Sequence, residues 1–280
     1  MLETLSGWIG GTFGADAQAS FAYITNGKHM AWYASVRYTL IAACGGALLA
    51  VVFGLLGAAL KNSKFLPARL AGDFYTTIVR GVPDVLFFLF FPLAFEQAVE
   101  YFFAQSACSA SELASAAQWP PCSAAQWYLS TTEYLILACV SLGIVYGAFA
   151  ANVIHGALRS VPHGQLEAAH AYGFNKRDVF WRFQVRQMWV YALPGLSNVW
   201  MLLLKATSLL SLLQIADIVQ WAGRLGAPNY IARVGPIHPD WRWRYYVILF
   251  VFYIIMAMLS ERFFNRLQAR ASRGMLRESS

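Results

Sequence analysis

Few side chains of this chain could do chemistry, and most of those few interrupt long apolar stretches. Lys205 is followed by Thr207 and Ser208 within one such stretch, and Asp84 begins another. A charged side chain inside a membrane span is costly and often marks the pathway of a polar solute, although a lysine can also reach the interface or pair with an acid. These four residues are therefore candidates for a solute path, and Asp217 could pair with Lys205 or with a cationic solute.

Other kinds of site find little support. No glycine-rich phosphate loop ending in Gly-Lys-Ser/Thr is present, so we expect the chain not to hydrolyse ATP by that route. No Cys/His cluster has metal-ligand spacing and no nucleophile–base pair can be picked out, so we expect no metal, no cofactor and no enzyme activity. Cys108 and Cys122 share one polar segment and could either form a disulfide or stay free, whereas Cys44 and Cys139 are expected to be apolar fillers in spans.

Composition identifies the class of protein. The chain is 58% hydrophobic and only 12% charged, whereas soluble domains carry about 25% charged residues. This predicts an all-α integral membrane protein. The formal net charge of +7 could suggest nucleic acid, but Lys and Arg gather at the ends of apolar stretches and no basic helix is interleaved with aromatic residues. We expect no nucleic-acid partner.

Charge-free stretches predict five membrane-spanning helices, since a span needs roughly 20 residues. The predicted spans are residues 38–60, a weaker one from Pro83 through residues 85–95, 134–158, a stretch from Arg186 to about Ala216, and 245–260. Glycines in the first span predict close helix packing: Gly45, Gly46, Gly54 and Gly57. In the fourth, Pro194-Gly195 predicts a break, with an interfacial piece up to Leu193 and a span from Leu196, which would place Lys205 near mid-membrane.

The distribution of Lys and Arg predicts the orientation. Basic residues concentrate in the segments after the first, third and fifth spans, although residues 222–244 break the pattern with four arginines. The positive-inside rule therefore favours an external N-terminus and a cytoplasmic C-terminus. The predicted organisation is an extracytoplasmic segment 1–32, a transmembrane domain 33–265 and a basic cytoplasmic tail 266–280, with an outer loop 104–132 and an inner loop 159–186.

The inner loop has its own helical pattern. Pro162 fits the first turn of a helix that ends at Gly173, and Asn175 can cap a second helix with Asp178 in its first turn. On the first helix, Leu166, Ala169 and Tyr172 share one side. Such a hairpin could pack beneath its own bundle, or its small residues could enter a cleft on a partner protein.

A resemblance favours the second reading of this loop. Glu167-Ala168-Ala169 followed by Gly173 and a distant Leu193-Pro194 resembles the EAA loop of ABC-importer membrane subunits. Further segments strengthen the likeness: Arg80-Gly81-Val82-Pro83, Gly143-Ile144-Val145-Tyr146-Gly147-Ala148 and Lys205-Ala206-Thr207-Ser208-Leu209. Together they resemble the permease subunits of polar amino-acid ABC importers, above all the Q-type subunit of the histidine/lysine/arginine/ornithine importer and its arginine and opine relatives, over roughly residues 33 to 265.

The resemblance implies a fold, a function and partners. It implies the type I importer fold of about five helices in a bacterial inner membrane, and ATP-driven uptake of polar, mainly basic, amino acids or opines. ATP and Mg²⁺ would be bound by partner ATPase subunits, and a second homologous permease subunit, in a heterodimer rather than a homodimer, and a periplasmic amino-acid-binding protein would complete the assembly. The residues that would couple to the ATPase are Glu167, Ala168, Ala169, Tyr172 and Gly173.

Two departures and two alternatives stand beside the resemblance. Arg186 occupies the position where the family usually has a proline, so the second helix could run on, and the outer loop 104–129 is longer than usual. An ATP-independent secondary amino-acid transporter or channel would need no ATPase partner. A membrane-embedded enzyme would need catalytic polar residues within its spans.

Overall fold

The computed structural model describes residues 4–5, 15–115, 118–213, 215–231 and 237–273. Within them the chain is helical apart from loops and an isolated antiparallel bridge between Asn229 and His238, which confirms the all-α prediction. The helices are α1 Ala15–Ile24, α2 Gly27–Lys61, α3 Leu66–Gly81, α4 Asp84–Ala107, α5 Ala110–Ser115, α6 Thr131–Arg159, α7 His163–Ala171, α8 Lys176–Asp178, α9 Val185–Ala206, α10 Ile218–Gly226 and α11 Arg242–Ala271. A π-helical segment, Val179–Gln184, joins α8 to α9, and a 3₁₀ segment, Thr207–Leu213, follows α9.

Five helical segments of the described chain are long and apolar enough to cross a membrane: α2, α4, α6, the continuous stretch Lys176–Leu213 and α11. The predicted number of spans is confirmed. The helices are longer than the charge-free stretches: α2 begins at Gly27 and α11 ends at Ala271. The apolar pattern marks only the part suited to hydrocarbon, whereas a helix continues until its backbone is capped.

The predicted break at Pro194-Gly195 is wrong. The helix α9 runs from Val185 through Pro194 to Ala206, and it also runs through Arg186. Packing supports it on both sides of the proline, because Ala192 before it and Val199 and Leu203 after it are all buried. Neighbouring helices commonly hold a proline-containing membrane helix in this way.

The residues divide into two compact units, and α2 and α11 contribute residues to both. The first comprises Met1–Ile41 and Leu210–Ile255. Its buried cluster contains Trp32, Ile218, Ala222 and Tyr245, and the indole nitrogen of Trp32 donates to the carbonyl of Ile218 over 3.0 Å. This contact holds the start of α10 against α2.

The second unit, Ala42–Leu209 with Met256–Ser280, is built around α6. This helix is buried along most of its length and packs against α3, α4 and α9. The ammonium of Lys61, at the end of α2, donates to Thr76 of α3 (3.1 Å) and Asn152 of α6 (2.7 Å) and pairs with Asp73 (3.3 Å). A single largely buried cation therefore joins three helices.

Glycines of α2 allow the close approach to α6 that the sequence predicted. A Cβ atom at Gly54 would lie 2.7 Å from the Cβ of Ala150 and 3.3 Å from its carbonyl carbon. Real Cβ atoms do not approach so closely, so the two backbones would have to separate.

We expect Gly54→Ala to destabilise the folded chain by roughly 1–3 kcal/mol, because overpacking a tight contact forces helices apart. Gly156→Ala is the matched control: Gly156 lies in α6 and a Cβ there would meet nothing within 4 Å, so the better helix propensity of alanine should leave stability equal or higher. The apparent melting temperatures of both variants in mild detergent provide the measurement. Equal melting temperatures for Gly54→Ala and the unmodified protein would contradict the close contact between Gly54 and Ala150.

Candidate functional site

The helix α7 and the turn that follows it form the most distinctive surface feature of the second unit. Pro162 precedes the first helical residue, His163, and α7 ends at Ala171. Gly173 has a φ of 84°, the left-handed conformation that glycine adopts readily. Its N–H donates to His170 (2.9 Å) and that of Phe174 to Ala169 (3.2 Å), the paired bonds of a Schellman motif. The predicted end of the helix at Gly173 is confirmed.

Asn175 begins the next helix as predicted. Its side-chain oxygen accepts from the backbone N–H of Asp178 (2.9 Å), and its amide nitrogen donates to the Asp178 carboxylate (2.7 Å). The second helix is longer than the short one that the sequence predicted. The three residues of α8 continue into the π segment, and this segment continues into α9. The turn at Gly173 is thus attached to a continuous helical stretch that includes the fourth span.

Contacts with the bundle hold α7 in place. The ring of Phe174 meets that of Phe183 edge-on at 5.1 Å, and Gln184 donates to the carbonyl of Leu158 over 3.1 Å. Leu166 packs against the buried cluster that contains Val161 and Met188. A force applied to α7 would therefore be transmitted to α6 and α9.

The predicted docking residues do not all face outward. Glu167, Ala168 and Gly173 are exposed, and Tyr172 is 85% exposed. Ala169 is only 4% exposed, because its side of α7 faces the bundle. In the single chain Ala169 therefore packs against the bundle, and its predicted contact with a partner stays a prediction.

Two exposed aromatic residues of the π segment lie outside the predicted set. Trp181, in the π segment, is 61% exposed, and Phe180 beside it is also exposed. Glu167, Ala168, Tyr172, Gly173 and Trp181 are candidates for contact with a partner protein, and we name them the docking surface. In the sequence, the adjacent aromatic pair Phe180-Trp181, which follows α8 after one residue, was the available signal for these exposed rings. Periodicity alone does not show which side of a π segment is exposed.

The residues predicted for a solute path lie in different environments. Lys205 is exposed in the last turn of α9. The hydroxyl of Thr207 is fully buried and donates to the carbonyl of Leu204 over 2.7 Å, and Ser208 donates to Lys205 over 2.8 Å. Both hydroxyls thus support the change from α to 3₁₀ geometry, and Thr207 does not line a surface that a solute could reach in this structure.

Because α9 is continuous, the predicted depth of Lys205 also changes. It lies 205 − 186 = 19 residues beyond Arg186, about 28 Å at 1.5 Å per residue. A hydrocarbon core is about 30 Å thick. If Arg186 marks the inner edge, Lys205 lies near the outer end of the span and not at its middle.

The two acidic candidates each make a local hydrogen bond. Asp84 is the first residue of α4 and accepts from the hydroxyl of Tyr146 over 2.8 Å. Asp217, in the first unit, is fully buried and caps α10 by accepting from the N–H of Gln220 over 2.8 Å. Its second oxygen has no hydrogen-bond partner among the residues that the structure describes. Burial raises the pKa of Asp217 to about 6, because the charged form loses its hydration.

The raised pKa predicts a pH-dependent stability. The folded chain binds the Asp217 proton more tightly than the unfolded chain, whose pKa is near 3.8. The stabilisation by this proton is therefore complete below about pH 3.8 and is lost as the pH rises through 6. We expect lowering the pH from 7.5 to 5 to stabilise the unmodified chain relative to Asp217→Asn by about 1.4 kcal/mol, roughly one pKa unit. Melting curves in detergent at both pH values provide the measurement. An equal change in melting temperature with pH for the two proteins would contradict the prediction.

The segment between α4 and α6 contains a disulfide between Cys108 and Cys122, with a Cα–Cα distance of 5.9 Å. This is one of the two alternatives that the sequence left open. The rings of Trp119 and Tyr101 stack at 5.8 Å, which holds the loop against α4. Of the other two cysteines, Cys139 is buried as expected, but Cys44 is exposed on the surface of the chain.

A family model described as "binding-protein-dependent transport system inner membrane component" matches residues 35–274. The chain belongs to this family. It is therefore an inner-membrane permease subunit with five candidate spans. The matched region includes α7, the docking surface and all four residues predicted for the solute path.

Curated relatives have consistent descriptions. The permease is 34% identical over 200 residues to the histidine/lysine/arginine/ornithine transport system permease protein HisQ of Escherichia coli (strain K12), covering 70% of this chain and 79% of the relative. It is 29% identical to the arginine ABC transporter permease protein ArtQ of the same strain, covering 82% and 91%. It is 30% identical to the octopine transport system permease protein OccQ of Rhizobium radiobacter, covering 85% and 89%.

Solved structures support the fold of the permease. One, described as an amino acid ABC transporter with histidines, has a TM-score of 0.63 at 19% identity and covers 86% of this chain and 94% of its own. Another, an inward-facing conformation of the MetNI methionine ABC transporter, has a TM-score of 0.55 at 13% identity, with the same coverage. At these identities the likeness establishes the fold alone.

Proposed function

We propose that this permease subunit forms the translocation path of an ATP-driven ABC importer for polar, mainly basic, amino acids or opines. The observation that carries the proposal is the docking surface: an exposed, capped helix followed by one turn and a continuous helical stretch that includes a span, in a chain without a nucleotide-binding motif. The relatives include permease proteins of transport systems for histidine, lysine, arginine, ornithine and octopine, which supports the substrate class.

In the proposed assembly the docking surface lies against an ATPase subunit, which binds ATP and Mg²⁺. Nucleotide binding can shift the permease between inward-open and outward-open states only if the ATPase binds ATP differently in the two states. The displacement would pass from α7 through Leu166, Phe174 and Gln184 to α6 and α9. Glu167, Ala168 and Tyr172 would make the direct contacts.

The remaining partners follow from the same proposal. A second homologous permease subunit, in a heterodimer, would complete the path, and a periplasmic amino-acid-binding protein would deliver the solute. The path would include Asp84 and Lys205, with Ser208 at its edge and Thr207 buried behind it. The N-terminus would lie outside and the C-terminus in the cytoplasm, because Lys61, Arg159 and Arg270 end the first, third and fifth spans.

Purification of the tagged chain from native membranes in mild detergent tests the proposal. We expect an ATPase, a second permease and an amino-acid-binding protein to be identified with it by mass spectrometry. In proteoliposomes this complex should accumulate radiolabelled L-arginine, L-lysine, L-ornithine or L-histidine only with ATP and the binding protein. Uptake that continues without ATP would instead identify a secondary transporter.

A further inference from the structure

Two opposite charges, Arg80 and Asp84, flank the short break between α3 and α4. The helix α3 ends at Gly81, Val82 and Pro83 have extended backbones, and α4 begins at Asp84. The intervening proline prevents the two helices from continuing as one. The break therefore places both side chains at neighbouring helix ends.

Both charges lie against the middle of α6. The guanidinium carbon of Arg80 is 5.0 Å from the centre of the Phe149 ring, and the hydroxyl of Tyr146 donates to Asp84 over 2.8 Å. Phe149 and Tyr146 precede Arg159, the last residue of α6, by 159 − 149 = 10 and 159 − 146 = 13 residues, or about 15 and 20 Å. Asn152, which bonds Lys61 at the end of the first span, lies 152 − 149 = 3 residues beyond Phe149. Both rings therefore lie within a core about 30 Å thick, in the part of the span nearer to Lys61.

Neither charge neutralises the other through a close contact. The ion pairs in the described residues join Lys61 to Asp73, Arg182 to Asp178 and Arg242 to Asp240, and within the same residues no carboxylate lies within 4 Å of Arg80. The aromatic face of Phe149 stabilises the cation while leaving its N–H donors, which lie in the guanidinium plane, available for other partners. Tyr146 bonds one carboxylate oxygen of Asp84.

The position of these groups limits what they can face. Arg80 is exposed on the surface of the chain and Asp84 is partly exposed. Charged side chains inside a bilayer face protein or water and not lipid, because solvation in hydrocarbon is very costly. This edge of α6 must therefore face a partner subunit or a water-filled path.

We propose that Arg80 and Asp84 bind the α-carboxylate and the α-ammonium group of the transported amino acid. A guanidinium can donate two parallel hydrogen bonds to a carboxylate, and a carboxylate oxygen accepts well from an ammonium group. The site would recognise the part that all free amino acids share, and would leave selection among side chains to other residues. This inference rests on the proposed transport function.

Equilibrium binding to the complete permease–ATPase complex in nanodiscs, without binding protein, tests the inference. The probes are L-arginine, L-lysine, L-ornithine and L-histidine, the α-amide of each, and 5-guanidinopentanoic acid, which lacks the α-ammonium group of arginine. The variants are Arg80→Gln, Asp84→Asn and Tyr146→Phe. Arg69→Gln is the matched control, since Arg69 is an exposed arginine of the same helix α3.

We expect the unmodified complex to bind at least one of the four free acids about tenfold more tightly than its amide. Arg80→Gln should weaken binding of the free acid about tenfold and leave binding of the amide unchanged. The variant should therefore no longer bind the free acid more tightly than its amide. Asp84→Asn should weaken binding of the free amino acids and leave binding of 5-guanidinopentanoic acid unchanged. Tyr146→Phe should weaken binding of the same free amino acids by a smaller factor. Arg69→Gln should match the unmodified complex.

Different results would overturn different conclusions. If the unmodified complex binds the free acids and Arg80→Gln keeps the preference over the amide, the assignment of Arg80 is wrong and the transport function stands. If Arg80→Gln weakens acid and amide equally, the residue is structural. If the unmodified complex binds none of the four acids, the proposed site is wrong, whereas the proposed function fails only if ATP-dependent uptake is also absent.

Discussion

Replacing Ala168 with aspartate is expected to abolish coupled transport while leaving the permease folded. Ala168 is an exposed, small residue of the docking surface. If an ATPase covers it, the new carboxylate would be buried without a partner, at a cost of several kcal/mol. Since each 1.4 kcal/mol is a factor of ten, stimulation of ATP hydrolysis by loaded binding protein and uptake in proteoliposomes should each fall at least about tenfold.

Two further substitutions separate docking from folding. Ala269→Asp places the same change on an exposed position of α11 and should leave transport normal. Ala169→Asp places it one residue along α7, where the side chain is buried, and should lower the melting temperature of the isolated permease, which Ala168→Asp should not. Normal coupled uptake by the Ala168→Asp complex would show that the docking surface lies elsewhere.

Lys205→Met is expected to produce the second largest loss. Lys205 is exposed on the chain and lies about 28 Å beyond Arg186 along α9, where its ammonium can reach water or a charged partner. Methionine removes the charge and keeps much of the apolar stem, so assembly should be preserved. If the charge acts in the path, uptake should fall about tenfold, or ATP hydrolysis should continue without binding protein.

Lys64→Met is the matched control, because Lys64 is an exposed lysine of the segment between α2 and α3. It should leave uptake and ATP hydrolysis unchanged. The complex of each variant is isolated first, to establish that the subunits are present in normal proportion. An assembled Lys205→Met complex with normal uptake would remove Lys205 from the proposed path and leave it as a lysine that reaches the interface.

The sequence was sufficient for features that depend on neighbouring residues. Charge-free stretches identify spans because burying charge in hydrocarbon is costly at every position. The end of α7 at Gly173 and the cap at Asn175 were predictable, since the bonds that form them join residues within a few positions of one another. The glycines of α2 indicated close packing for the same kind of local reason, the absence of a side chain.

Only the tertiary structure decided features that depend on distant contacts. Pro194 does not end α9, because α6 and α2 supply packing on both sides of it. Ala169 faces inward although Ala168 beside it faces out, since the bundle and not the sequence pattern determines which side of α7 is covered. Thr207 is buried for the same reason. Arg80 could be related to a membrane-spanning helix only when α3 and α6 came together and placed it against Phe149. Local bonding and solvation can be read along a chain, whereas a side chain's neighbours are determined by the packing of the whole fold.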